Sequence, residues 1–274
     1  MSAARWREAA TLSVVALCAF LVAGCAAGTS PAAGQTSTPV VTVRVAAAAD
    51  LRFALDEVKT ELATSRRDVK LAITYGSSGT FFQQLSNGAP FDLFLSADLE
   101  YPRDLAKAGL ADAGDVFGYA VGRLVVWAPA DSRVDPTLGL AALTAAAAQK
   151  VSIANPEHAP YGKAAVAAMR TAGVYDAVKG NLVFGENVAQ AAEFVQSGNA
   201  QVGVIALSLA VSPQMKDKGR YAEVPLESYP RIDQGGVVLS AAENPVAARA
   251  VKDFLLSAQG RATLKRYGFF LPSS

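Results

Sequence analysis

The chain has 274 residues, 51% of them hydrophobic, with 25 Lys+Arg against 24 Asp+Glu. That near-neutral balance leaves no electrostatic footprint for nucleic acid, and the apolar share supports one large domain or two small lobes. A single histidine excludes a multi-histidine metal centre.

Arg5 and Arg7 precede an apolar run, residues 9–23, that is too short for a comfortable membrane span. The run ends in Leu21-Val22-Ala23-Gly24-Cys25. A basic start, a short apolar core and small residues at the cut predict an export signal over residues 1–24. A cysteine directly after Ala-Gly resembles the lipobox of bacterial lipoproteins, which implies that Cys25 is acylated and heads the mature chain. The other cysteine, Cys18, falls in the leader, so the mature chain has neither a disulfide nor a cysteine metal site. Arg5, Arg7 and Glu8 leave with the leader, and the two signs of charge are then equal. Residues 25–39 are rich in Ala, Gly, Ser, Thr and Pro, as a flexible tether is. The expected product is an exported domain held by lipid in the periplasm or at the outer face of a membrane, with no spanning helix.

Residues 42–48 read as a strand, and Leu51, Ala54, Leu55, Val58 and Leu62 mark a helix face. Residues 69–75 alternate as a second strand does. A helix then starts at Ser77-Ser78, burying Phe81, Phe82 and Leu85, and residues 91–95 form another strand. Residues 123–128 are a buried strand that ends at Pro129. A second alternating set follows: strand 151–154, a helix from Tyr161, strand 181–184, a helix from Val188 and strand 201–205. Gly235-Gly236-Val237-Val238-Leu239 is a late strand, and helices 245–256 and 258–267 close the chain. Alternating strands and helices argue for open, mostly parallel α/β sheets. Two such runs with a final return predict two lobes: residues 40–122 with 236–274, and residues 123–235. Pro129 and Gly235-Gly236 are candidate connection points.

Four junctions can present backbone N–H groups at a helix start: Ala47-Ala48-Ala49-Asp50-Leu51, Gly76-Ser77-Ser78-Gly79, residues 155–162 (Asn-Pro-Glu-His-Ala-Pro-Tyr-Gly) and Gly185-Glu186-Asn187-Val188. A helix N-terminus carries unsatisfied donors and partial positive charge, which suits an oxyanion. In open α/β sheets ligands sit at the carboxyl ends of strands, where these turns lie. Converging on one cleft, they would surround a small anion with donors and no full positive charge.

These segments, with Gly88-Ala89-Pro90-Phe91-Asp92-Leu93-Phe94-Leu95 and the ending Arg266-Tyr267-Gly268-Phe269, resemble the periplasmic molybdate-binding proteins that feed ABC transporters. The resemblance covers nearly everything after residue 40. It implies a two-lobe periplasmic binding protein fold of type II, each lobe an open mixed, mostly parallel sheet flanked by helices. It also implies a non-enzymatic, monomeric receptor that closes on molybdate or tungstate and hands it to a permease, with no cofactor and no metal-cation ligands. Its anion-binding positions fall on Asp50, Ser78, Tyr161 and Val188: hydroxyl and N–H at Ser78, backbone N–H at Tyr161 and Val188. Some members add a tyrosine hydroxyl where this chain has Ala206.

Asp50 departs from the Ser or Asn the family commonly has there. Its carboxylate either caps its own helix, with the backbone facing the ligand, or accepts a proton from a protonated oxyanion such as hydrogen phosphate. Other tetrahedral oxyanions, phosphate or sulfate, therefore remain alternatives. A serine hydrolase using Ser77 or Ser78, with Lys163 as base, lacks a Gly-x-Ser-x-Gly elbow. His158 is expected to shape the loop before Tyr161. Asp92 and Asp98 are expected to cap or pair across the first lobe.

Overall fold

The computed structural model describes residues 39–272. The expected export signal, Cys25 and the tether lie outside these residues, apart from Pro39. The first half of the chain runs β1 (Val41–Ala48), α1 (Arg52–Ser65), β2 (Val69–Gly76), α2 (Ser78–Ser86), β3 (Leu93–Ser96), α3 (Glu100–Lys107) and β4 (Ala111–Gly122). The second half runs β5 (Leu124–Pro129), β6 (Val151–Ala154), α4 (Pro160–Thr171), α5 (Tyr175–Val178), β7 (Leu182–Gly185), α6 (Val188–Gln196), β8 (Val202–Ala206), α7 (Leu207–Ala210) and β9 (Gly219–Glu223). The chain ends in β10 (Ile232–Leu239), α8 (Pro245–Leu256) and α9 (Ala258–Arg266).

The strands form two five-stranded sheets, ordered β2-β1-β3-β10-β4 and β7-β6-β8-β5-β9. In the first, β1 is parallel to β2 and β3, while β10 is antiparallel to β3 and β4. In the second, β6 is parallel to β7 and β8, while β5 is antiparallel to β8 and β9. The two sheets thus share one plan: four strands point one way and the fourth in order opposes them. The opposing strands, β5 and β10, are those that follow each crossing between sheets.

The first sheet is covered on both faces, which is why β1 reads as a nearly continuous apolar run. Val43, Val45 and Ala47 pack with Leu55, Val58, Val251 and Leu255 of α1 and α8. Ala46 points the other way, toward Phe81, Leu85 and Leu105 of α2 and α3. The second sheet has its own core around Trp127, Ile153, Ala165, Val195 and Val204.

Asp92 is buried at the entry to β3 and pairs across the first lobe. Its Oδ2 accepts the Arg44 N–H at 2.7 Å, and its Oδ1 accepts from Arg44 Nη2 and the Glu243 N–H, each at 2.9 Å. Burial pushes its carboxyl up, but the Arg44 side chain and these N–H groups outweigh burial and hold it below the ordinary value. Asp98 accepts the Glu100 N–H at the start of α3.

Both candidate connection points lie inside a sheet. Pro129 ends β5 opposite Gly219, and Gly235 and Gly236 pair with Ser96 and Leu95 of β3. The chain crosses instead at Arg123, between β4 and β5, and again between β9 and Ile232. A boundary drawn at the sheets therefore falls near Ile232 rather than at residue 236.

Candidate functional site

Four strand ends meet where the sheets face each other. A short 3₁₀ turn (Ala49–Leu51) follows β1, α2 follows β2, a loop and α4 follow β6, and α6 follows β7. A small cavity lies among them, lined by Asp50, Ser78, Ala97, Tyr161, Asn187 and Val188 with neighbouring backbone. All four residues expected to bind the anion are brought together there. Among the described residues, no lysine, arginine or histidine lines the cavity.

Among the described residues each helix start leaves a donor unmatched, because the first N–H groups of a helix have no intrahelical partner. In α6, Asn187 Oδ1 accepts the Ala189 and Gln190 N–H groups at 3.0 and 3.1 Å, and its carbonyl accepts Ala191 N–H at 3.0 Å. The Val188 N–H is left over. In α4, Pro160 has no N–H, and the Ala159 carbonyl takes those of Gly162 and Lys163 at 2.9 and 3.1 Å. The Tyr161 N–H is left over. In α2, Gly79 N–H donates to the His158 carbonyl at 2.9 Å and Phe81 N–H to the Ser77 carbonyl at 3.0 Å, leaving the N–H groups of Ser78, which lines the cavity, and of Thr80. Ser78 Oγ accepts the Ala97 N–H at 2.9 Å, so its own proton is free to donate.

Asp50 is not a cap. The residues at the starts of the 3₁₀ turn and of α1 are Ala48 and Leu51, and neither start has a side-chain cap bond. The Asp50 carboxylate reaches between sheets: Oδ2 accepts from Gln234 Nε2 at 2.6 Å and from the Tyr161 hydroxyl at 3.0 Å. Its carbonyl accepts from Ser208 Oγ at 2.7 Å, which fixes the turn. Oδ1 is buried and has no hydrogen-bond partner among the described residues. Burial pushes the carboxyl up to about 6, against opposing hydrogen bonds from Gln234 and Tyr161. The N–H groups of Asp50 and Leu51 also favour the ionised form, yet neither bonds Oδ1.

The Tyr161 hydroxyl and Gln234 are contributions that sequence reasoning missed. The available signal was Gln234 itself, a lone amide among the glycines and apolar residues that follow it in β10. Gly122 makes the room: a Cβ there would lie 2.2 Å from Tyr161 Oη and 2.7 Å from Gln234 Nε2. Ala206 is buried at the end of β8 and supplies no hydroxyl.

His158 shapes the loop before Tyr161, as expected, chiefly through its backbone. Its carbonyl accepts from Ser77 Oγ at 2.5 Å as well as from Gly79 N–H, and its Nδ1 lies 3.0 Å from Ser77 Oγ. Thr80 Oγ1 donates to Glu186 at 3.3 Å, and Arg52 pairs with Glu193 at 3.0 Å. These bonds join helices of the first sheet to those of the second, so the cleft is closed. For the hydrolase alternative, the proposed base does not pair with a serine: Lys163 Nζ bonds the Tyr101 hydroxyl at 3.4 Å, and Ser77 Oγ donates to the His158 carbonyl. A larger groove of about 400 Å³ lies outside the cavity, lined by Asp98, Glu100, Arg103, Lys163, Arg231 and Asp233. Its mixed charges give no preference for an anion.

Residues 43–270 match the family model described as bacterial extracellular solute-binding protein. The chain is 37% identical over 208 residues to the molybdate-binding protein ModA of Rhodobacter capsulatus, covering 76% of this chain and 80% of that one. It is 36% identical over 251 residues to ModA of Azotobacter vinelandii, covering 92% and 97%. The solved structure of the Azotobacter vinelandii periplasmic molybdate-binding protein superposes with a TM-score of 0.79 at 28% identity, covering 84% of this chain and all of that one. The two-sheet α/β architecture is that of a periplasmic binding protein, and the chain belongs to the bacterial extracellular solute-binding protein family, with molybdate-binding proteins among its relatives.

Proposed function

We propose that this protein is an extracytoplasmic receptor that captures molybdate, and tungstate with it, and delivers the anion to an ABC transporter permease. One observation carries the reading: helix starts from both sheets leave the Ser78, Tyr161 and Val188 N–H groups at one cavity lined by no lysine or arginine. Neutral, fixed donors hold a dianion without a counter-charge and let it go when the lobes part. The protein acts as a monomer by binding alone, without catalysis or a cofactor. The similarity to molybdate-binding proteins supports molybdate as the ligand. Cys25 anchors the mature chain to a membrane through lipid.

A second reading, a receptor for another tetrahedral oxyanion such as phosphate or sulfate, is favoured by the unpartnered Asp50 Oδ1, which could accept a proton from the ligand. Competition dialysis of the leaderless chain against molybdate, tungstate, sulfate and phosphate tests both. Retention of molybdate and tungstate over the other two is the expected result. Preferential retention of phosphate would replace molybdate as the cargo.

A further inference from the structure

We propose that the pocket takes up one solvent proton with each anion it binds, holding it on Asp50 Oδ1 as a hydrogen bond to a ligand oxygen. This rests on the anion-binding reading above and adds a regulatory residue to it. An ionised Asp50 would present a buried, unpartnered oxygen to a dianion, which costs both desolvation and like-charge repulsion. Oδ2 cannot relieve this, because it already accepts from Gln234 and Tyr161. A proton on Oδ1 turns the one orphaned acceptor of the carboxylate into a donor. The balance is simple: carboxylate, solvent proton and dianion give a neutral carboxyl hydrogen-bonded to the anion.

The groups around Asp50 do not compete for that proton. Gln234 of β10 and Ser208 of α7 are neutral. Tyr161 of α4 and Tyr119 of β4 are the titratable groups facing it, and burial, with the Asp50 charge, pushes both hydroxyls well up. His158, on the loop before α4, is turned to Ser77 and Glu186. In the unliganded pocket the Asp50 carboxyl sits near 6, so at neutral pH most of the protein must gain a proton to bind.

Calorimetric titration of the leaderless chain with molybdate, in buffers of different ionisation enthalpy, counts that proton. The expected uptake is about one proton per anion near pH 8, with affinity falling about tenfold per pH unit between pH 7 and pH 8. Asp50→Asn, which puts a permanent donor in place, removes the uptake and flattens affinity against pH. Saturable molybdate binding with heats independent of buffer would overturn the inference alone. Absence of molybdate binding by the wild-type chain would overturn the molybdate reading and the inference with it.

Discussion

Ser78 and an ionised Asp50 bring opposite chemistry, donors and acceptors, to the same cavity. Ser78 brings two donors, and its hydroxyl is aimed by the Ala97 N–H it accepts. Ser78→Ala keeps the backbone donor and loses the other. Molybdate affinity is therefore expected to fall by about 1–3 kcal/mol, read by calorimetry. An unchanged affinity would remove the hydroxyl from the site. Asp50 shows its cost in stability. Its folded carboxyl is raised from the ordinary 3.8 to about 6, so the folded state binds the proton more tightly than the unfolded chain. The cost of ionisation is absent below about pH 4 and grows as pH rises through 6, reaching roughly 3 kcal/mol. Asp50→Asn is thus expected to stabilise the unliganded protein at pH 8 and to lose that advantage by about pH 4. Thermal unfolding across pH checks it, and a variant equally or less stable at pH 8 would contradict the burial cost.

At the scale of elements, the site is a property of helix beginnings, and these were legible. Ser77-Ser78, Pro160-Tyr161 and Asn187-Val188 are start signals in sequence, and each opens a helix at the expected place. Asn187→Ala removes a cap that accepts two N–H bonds. Global stability should drop by about 1 kcal/mol, and anion affinity should drop as the first turn of α6 frays. Denaturant titration with and without molybdate separates the two effects. The elements that sequence reasoning missed have physical reasons. Strand β4 carries three glycines and two acidic residues, so its inward alternation is masked. Strand β9, Gly-Arg-Tyr-Ala-Glu, is an edge strand with little buried surface. The Asp50–Tyr161–Gln234 contact joins residues up to 184 apart in sequence, a distance no local pattern encodes.

For the whole molecule, the chain crosses between sheets twice and leaves the anion cavity between them. The alternation of elements revealed the two α/β runs. Proline and glycine punctuate strand ends and bulges as readily as hinges, and Pro129 and Gly235-Gly236 fall inside the sheets. Trp127 is buried in the core of the second sheet. Its emission is poorly placed to report closure, so calorimetry is the better readout. Closure itself is built from many small bonds, the Ser77, Gly79 and Tyr161 contacts among them, rather than one strong ion pair. Such a cleft can open once the anion no longer bridges its two halves.

The central claim is that neutral donors from both sheets hold the anion. A crystal structure of the molybdate complex, with the metal located by its anomalous scattering, tests it most directly. The account predicts one molybdate in the cavity, its oxygens within hydrogen-bond distance of the Ser78, Tyr161 and Val188 N–H groups and the Ser78 hydroxyl. Molybdate bound instead against lysine or arginine side chains, in the outer groove or elsewhere, would contradict it.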